Sequence, residues 1–268
     1  MNNPKNPETQ EDMPEIGEAL KRAGITNLRT LVKITHDSHR YKFVPNITIT
    51  VDLTKDKKGV HMSRLIESVT EVVESEAEKL HISIEQLEKR ILNRLAEKHP
   101  YGRAVIEMKT ELVVRKKTPV TKKPTMETHD ISVSMISENG KFTKKLRVDV
   151  VGNTVCPHAM QMVGKPHIQR AVGILEIEAE YSNDITLEEM IDCVERSFSS
   201  EVYTLLKSQD EAYVIEKMFK NPKFVEDVCR GIIYRAKKTF KGCKINAKVI
   251  SQESIHRHDV IAEGEAVV

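Results

Sequence analysis

"NITITVDL", Asn46 to Leu53, is the stretch on which the fold class turns. Ile47, Ile49 and Val51 alternate with Thr48, Thr50 and Asp52, so an extended segment has one apolar and one polar face, the period of a half-buried strand. Beyond it the period changes. After Ser63 the apolar positions Leu65, Ile66, Val69, Val72, Val73 and Ala77 fall at helical spacing. A second helix follows directly: Ser83 with Gln86 three residues on reads as a capping box, and Leu87, Ile91, Leu92 and Leu95 share one face. Two strands come next, at about residues 103–114 and 129–136, separated by the basic run "RKKTPVTKK", which is read as a solvated loop.

The second half repeats this order. Strands are expected at 141–151 and 168–181, where Leu175, Ile177, Ala179 and Tyr181 alternate with three glutamates. Thr186 with Glu189 caps a helix carrying Ile191, Val194 and Phe198, and Asn221 with Pro222 starts another, with Phe224, Val225, Val228, Cys229, Ile232, Ile233 and Ala236 on its buried side. Strands at about 243–250 and 260–268 finish the chain. Each half thus reads strand, strand, helix, helix, strand, strand. The expected class is α+β with helices on one face of antiparallel sheets, in two repeats of about 29–138 and 139–268 behind an irregular arm, 1–28. Sheets of this kind keep exposed edges, and pairing those edges between subunits predicts a homo-oligomer.

Composition limits the function. The 42 Lys and Arg stand against 40 Asp and Glu, so a formal charge of +2 creates no field of the kind that gathers nucleic acid. No segment approaches the roughly 18 unbroken apolar residues of a membrane span, and the polar start has no secretory core, which places the chain in the cytoplasm. Four scattered cysteines make no disulfide scaffold; Cys193, Cys229 and Cys243 sit in apolar-periodic runs and read as small buried hydrophobes.

Cys156 differs. "TVCPHAM" presents it at a strand end before a proline, with His158 two positions on and His167 in the following "PHIQRA". Thiolate and imidazole suit Zn(II) and Fe(II), and the spacing matches no closed structural-zinc pattern, so either an open metal site or a surface turn with incidental histidines fits. "ESIHRHD" places Glu253, His256 and His258 close together, and in an extended chain the two histidines would share a face. "DLTKDKKGVHMSR" brings His61, Ser63 and Arg64 to a helix start, a location that favours anions but also suits a plain loop. Glu201 and Glu216 are lone carboxylates that spacing does not identify, and the remaining histidines, at 36, 39, 81, 99 and 129, read as surface residues or caps.

In the same order, "KGVHMSR", "TVCPHAM" with "PHIQRA", "LLKSQDEAYVIEKMFKNPKFVEDVCR" and "ESIHRHD" resemble the type IV GTP cyclohydrolases, whose bacterial branch is also called type IB and whose archaeal branch is the methanopterin-pathway MptA type. The likeness runs from about Asp12 to the C-terminus. The bacterial branch carries Cys-Pro-Cys where this chain has Cys156, Pro157 and His158, so a second catalytic thiol does not carry over. The resemblance implies a tunnelling fold closing into a barrel across subunits, as a dimer or tetramer with active sites at the interfaces. The implied reaction opens the guanine imidazole ring of GTP, releases formate and forms a dihydroneopterin phosphate, either the 2',3'-cyclic phosphate or the triphosphate. The alternative is another tunnelling-fold purine or pterin enzyme. The resemblance implies Fe(II) as the metal, with Zn(II) or Mn(II) as alternatives, held among Cys156, His167, Glu201 and His256. It further implies Glu216 as acid/base group and Glu253 as guanine anchor. His158 is a second proton-transfer candidate, and His61, Ser63 and Arg64, with Lys58, would meet the phosphates.

Overall fold

The computed structural model describes residues 8–36, 39–76 and 83–268. Strands β1 (Leu20–Arg29), β2 (Val32–His36), β3 (His39–Phe43) and β4 (Asn46–Leu53) precede the helix pair α1 (Met62–Glu76) and α2 (Ile84–Lys98). Then come β5 (Arg103–Lys117), β6 (Pro124–Glu138), β7 (Lys141–Val155), α3 (Pro157–Val163), β8 (Ile168–Glu180) and α4 (Leu187–Glu195). The chain ends with β9 (Ser200–Glu201), α5 (Ser208–Lys220), α6 (Val225–Thr239), β10 (Cys243–Ser251) and β11 (Val260–Val267). The class is mixed α+β built on antiparallel sheet, and the chain forms two compact units. One holds residues up to 110 with 133–144, the other 111–132 with 145–268, so β5, β6 and β7 each contribute residues to both.

In the first unit the strand order is β1-β4-β5-β6-β7. Ile47, Ile49 and Val51 are buried, as the alternation of β4 requires. Leu65 and Val69 of α1 and Leu87, Ile91, Leu92 and Leu95 of α2 bury the apolar stripes read from the sequence. Ser83 caps α2 as expected: its hydroxyl accepts from the Gln86 amide while the Gln86 side chain accepts from the Ser83 amide. Ala77 lies outside the described residues, as does His81. The expected irregular arm differs from what is found, because residues 20–29 form β1, antiparallel to β4 from Leu20↔Leu53 to Arg29↔Asn46. β1 is a largely exposed edge whose two register shifts break the two-residue period, so no alternation marks it in the sequence. β2 and β3 form a separate hairpin.

In the second unit the order is β5-β6-β7-β8-β10-β11, with β9 added to β7. β8 and β10 pair from Ala179↔Cys243 to Ala171↔Ser251. Thr186 and Glu189 cap α4 reciprocally, and Phe198, expected on that helix, is buried just beyond its end. Asn221 and Pro222 do not open a helix. Asn221 closes α5, and α6 starts at Val225 with Phe224 exposed before it. Nor is the basic run a free loop, since Arg115 to Lys117 end β5 and only the turn at 118–123 lies outside a strand. Buried Asp210 holds that turn, accepting from the Val120 and Thr121 amides at 2.8 Å and from the Thr121 hydroxyl at 2.6 Å. Burial opposes the charge on Asp210, but these bonds and one from the Lys207 amide outweigh it and keep its carboxyl well below the usual range. No described helix is long and apolar enough to cross a membrane.

Candidate active site

Cys156 follows the buried end of β7 and is the N-cap of α3: its Sγ accepts from the Ala159 amide at 3.4 Å, and Pro157 takes the first helical position. The Cys156 amide donates to the His167 carbonyl at 3.2 Å, so the two expected ligands are joined through the backbone. Gly164 makes the return possible by closing α3 in the left-handed region at φ 63°. The expected turn after β7 is therefore a two-turn helix that leads back to β8. His158, its second residue, is exposed.

His167 is the residue just before β8 and Gln169 the second residue within it. His167 Nδ1 lies 3.0 Å from Gln169 Oε1, and Gln169 Nε2 donates to Glu253 Oε1 at 3.1 Å. Continuing the β8–β10 register past Ala171↔Ser251 sets residue 169 opposite 253, which is why Glu253 of "ESIHRHD" meets "PHIQRA". Gln169 and the Glu253 side chain are both nearly buried, at 8% and 7% exposure. Thr154 Oγ1 and Ser251 Oγ lie 3.2 Å apart beneath them. The sequence pattern associates His167 with Cys156 but does not single out Gln169. Its signal was the inward alternation Leu175, Gly173, Ala171 continuing back to an amide at a buried position.

Glu201 reaches the same strand end by another route. β9 pairs with β7 at Gly152↔Glu201 and Asn153↔Ser200. A Cβ on Gly152 would meet the Phe198 ring at 2.2 Å, so only glycine lets the chain fold back against β7 there. The preceding carbonyls are tied down by side chains at and beside the expected helix start: Asn221 Nδ2 donates to Phe198 O at 3.1 Å, and Lys223 Nζ donates to Ser197 O at 2.8 Å. The Glu201 carboxylate pairs with Lys217. One residue earlier on α5, Glu216 points to solvent and pairs with Lys220 at 3.0 Å. The structure thus brings Glu201 to β7 and leaves Glu216 on an open surface of the single chain.

A buried polar layer accompanies these residues. Glu127 accepts from the amide and hydroxyl of Thr204. Glu195 pairs with Lys116, burial raising its carboxyl against the pull of that lysine. Burial first, and then Glu201 and Glu195, push the Tyr203 hydroxyl up to about 12. His129, expected at the surface, is buried instead, and desolvation lowers it to about 4, with Lys116 adding to the shift. The inward period of β6 carries it there.

The expected phosphate-contacting residues lie in the first unit. His61 is buried and precedes α1, edge-on to His99 with ring centres 5.9 Å apart. Its Nε2 lies 2.9 Å from Glu11 Oε1, while Lys57 meets the other Glu11 oxygen at 3.0 Å. Arg64 pairs with Glu8 at 3.0 Å, Ser63 is exposed in the first turn of α1, and the Lys58 amide donates to Asp12 O. Acidic side chains of residues 8–11 thus occupy the basic groups at this helix start. In the second unit, His256 and His258 stack with centroids 5.1 Å apart and planes 8° from parallel. They do so on the exposed loop between β10 and β11 rather than on a strand.

Among the described residues no group of three or more His, Cys, Asp or Glu side chains is gathered to hold a metal ion. The donor types nevertheless fit one: a free thiol in Cys156, an imidazole in His167 whose Nδ1 is already engaged, and a carboxylate in Glu201 on the adjoining strand.

A family profile described as type I GTP cyclohydrolase folE2 matches residues 7–262. The GTP cyclohydrolase MptA of Thermococcus kodakarensis is 54% identical over 262 residues, covering 96% of this chain and 98% of that protein. That of Pyrococcus abyssi is 51% identical, covering 97% and 99%. Among solved structures, the uricase from Arthrobacter globiformis aligns at a TM-score of 0.52 and 8% identity, covering 92% of this chain and 93% of that one. At that identity the likeness is one of fold alone.

Proposed function

The chain belongs to the type I GTP cyclohydrolase folE2 family, and from that premise we propose that it opens the guanine imidazole ring of GTP as the first step of methanopterin biosynthesis. Water adds at C8, the C8–N9 bond breaks, and a second hydrolysis releases C8 as formate. The freed diamine then closes on the rearranged ribose with loss of water to give a 7,8-dihydroneopterin phosphate. We favour the 2',3'-cyclic phosphate over the triphosphate as product; it forms when the side-chain 2'-hydroxyl attacks the α-phosphorus, the α–β phosphoanhydride bond breaks and the β- and γ-phosphates leave as pyrophosphate.

C8 of a purine is a weak electrophile, so attack near neutral pH requires hydroxide. A divalent ion, Fe(II) before Zn(II) or Mn(II), would supply that hydroxide by Lewis acidity, lowering the pKa of water from 15.7 toward about 7. Cys156, His167 and Glu201 would hold it, with His256 completing the set. Glu253 accepts hydrogen bonds from the guanine N1–H and exocyclic amine as a fork, which selects against adenine because adenine has no donor at N1. Glu216 and His158 move protons during ring opening and formate loss, a role typically worth about a hundred- to ten-thousandfold. His61, Ser63 and Arg64 meet the phosphates once Glu8 and Glu11 give way.

The observation that supports this reading best is the continuous contact from Glu253 through Gln169 to His167, which joins the expected guanine anchor to an expected ligand. Glu216, His158 and His256 are exposed in the single chain. Each unit also ends on an edge strand, β1 or β11. Both facts support a homo-oligomeric tunnelling fold of duplicated ββααββ repeats, dimer or tetramer, in which a neighbouring subunit completes the site. The protein would work in the cytoplasm. The test is incubation with GTP and Fe(II) without oxygen, followed by mass spectrometry of the product. A dihydroneopterin phosphate is expected, and its mass separates cyclic phosphate from triphosphate. No pterin with Fe(II), Mn(II) or Zn(II) would remove the proposal.

A further inference from the structure

We infer that Gln169 is a positioning residue that holds His167 in the tautomer with a bare Nε2, ready to bind a metal; the inference rests on the reading of His167 as a ligand. The argument is one of donors and acceptors. The Glu253 carboxylate can only accept, so the Gln169 end that faces it at 3.1 Å is the NH2 group. The other end, 3.0 Å from His167 Nδ1, is then the carbonyl oxygen, which also only accepts. Nδ1 must therefore carry the proton. A neutral imidazole has one N–H, so Nε2 keeps its lone pair.

Two features make this a built arrangement rather than a chance contact. Gln169 is 8% exposed and the Glu253 side chain 7%, so water does not compete freely for the amide. Continuation of the β8–β10 ladder sets residue 169 opposite 253, and the bond from the Cys156 amide to the His167 carbonyl ties down residue 167 at the entry to β8. The other acceptors near Nδ1 are more distant, Ser254 Oγ at 3.4 Å and Glu253 Oε2 at 3.8 Å. Groups that orient a metal-binding histidine through its second nitrogen typically change metal affinity about 10- to 100-fold when removed.

The test uses the full-length, metal-free protein labelled with 15N-histidine, the His167 signals being assigned by their loss in His167→Gln. Wild type should show a protonated Nδ1 and a bare Nε2. Gln169→Leu should lose that pattern, with Fe(II) affinity measured without oxygen falling about 10- to 100-fold. Gln169→Glu retains an acceptor for Nδ1–H and should keep the wild-type tautomer, which also keeps the inference falsifiable if the leucine variant does not fold. A wild-type pattern and wild-type Fe(II) affinity in Gln169→Leu would overturn the inference, as would a protonated Nε2 in Gln169→Glu. If wild type takes up no Fe(II) while the tautomer still changes in Gln169→Leu, the positioning contact stands and the ligand reading falls.

Discussion

His61 Nε2 and Glu11 Oε1 lie 2.9 Å apart, with Lys57 on the second oxygen of the same carboxylate. Hydrogen bonds from His61 first and Lys57 next hold the Glu11 carboxyl below its ordinary range, so it is a settled anion at neutral pH. A triphosphate that reaches His61 must displace it. Glu11→Gln should therefore lower the KM for GTP by about two- to fivefold, the scale of an exposed ion pair, with kcat little changed. Steady-state kinetics of the two proteins decide it, and a KM that rises would show Glu11 aiding rather than obstructing substrate.

Gly152→Ala tests how Glu201 is placed. The added methyl would fall 2.2 Å from the Phe198 ring, so the turn into β9 has to move. Overpacking of this kind costs about 1–3 kcal/mol. Chemical denaturation should read that loss, and Gly152→Ala combined with Phe198→Leu should recover part of it. Equal stability of wild type and Gly152→Ala would mean that the β7–β9 contact is looser than described.

Glu88 sits on α2 with no exposure, and among the described residues its carboxyl oxygens have no hydrogen-bond partner of good geometry, the Met108 backbone offsetting only part of the cost of burial. Desolvation, reinforced by Glu85, raises its carboxyl well above the ordinary value. For a carboxyl whose pKa is raised on folding, the unfolded chain ionises first. Stability is then lost as pH climbs from about 4.3, the unfolded value, until the folded pKa is passed. Glu88→Gln should raise the melting temperature at pH 7 to 8 and change it little at pH 4. A shift of the same size at both pH values would show that packing, not ionisation, sets the effect.

What was legible in the sequence follows from how local each signal is. β4 and α2 announce themselves because alternation, helical spacing and the Ser83–Gln86 cap all lie within a few residues. β1 does not, because it is an exposed, bulged edge whose hydrogen bonds come from β4. Cys156 and His167 were found by residue type. Gln169 was not, since its role depends on Glu253 arriving from the far end of the chain. Asn221 and Pro222 look like a helix start, yet the side chains of Asn221 and the following Lys223 are spent on carbonyls more than twenty residues away. Asp210 lies in the first turn of α5, a helix that the sequence reading does not anticipate, and its carboxylate holds the distant basic turn.

Formate release measured against GTP consumed, in anaerobic protein loaded with Fe(II), tests the central claim most directly. Wild type should liberate one formate for each GTP, and Cys156→Ala should lose bound metal and formate release together. Disappearance of GTP without formate, or unchanged formate release by Cys156→Ala, would contradict a ring-opening hydrolysis centred on that thiol.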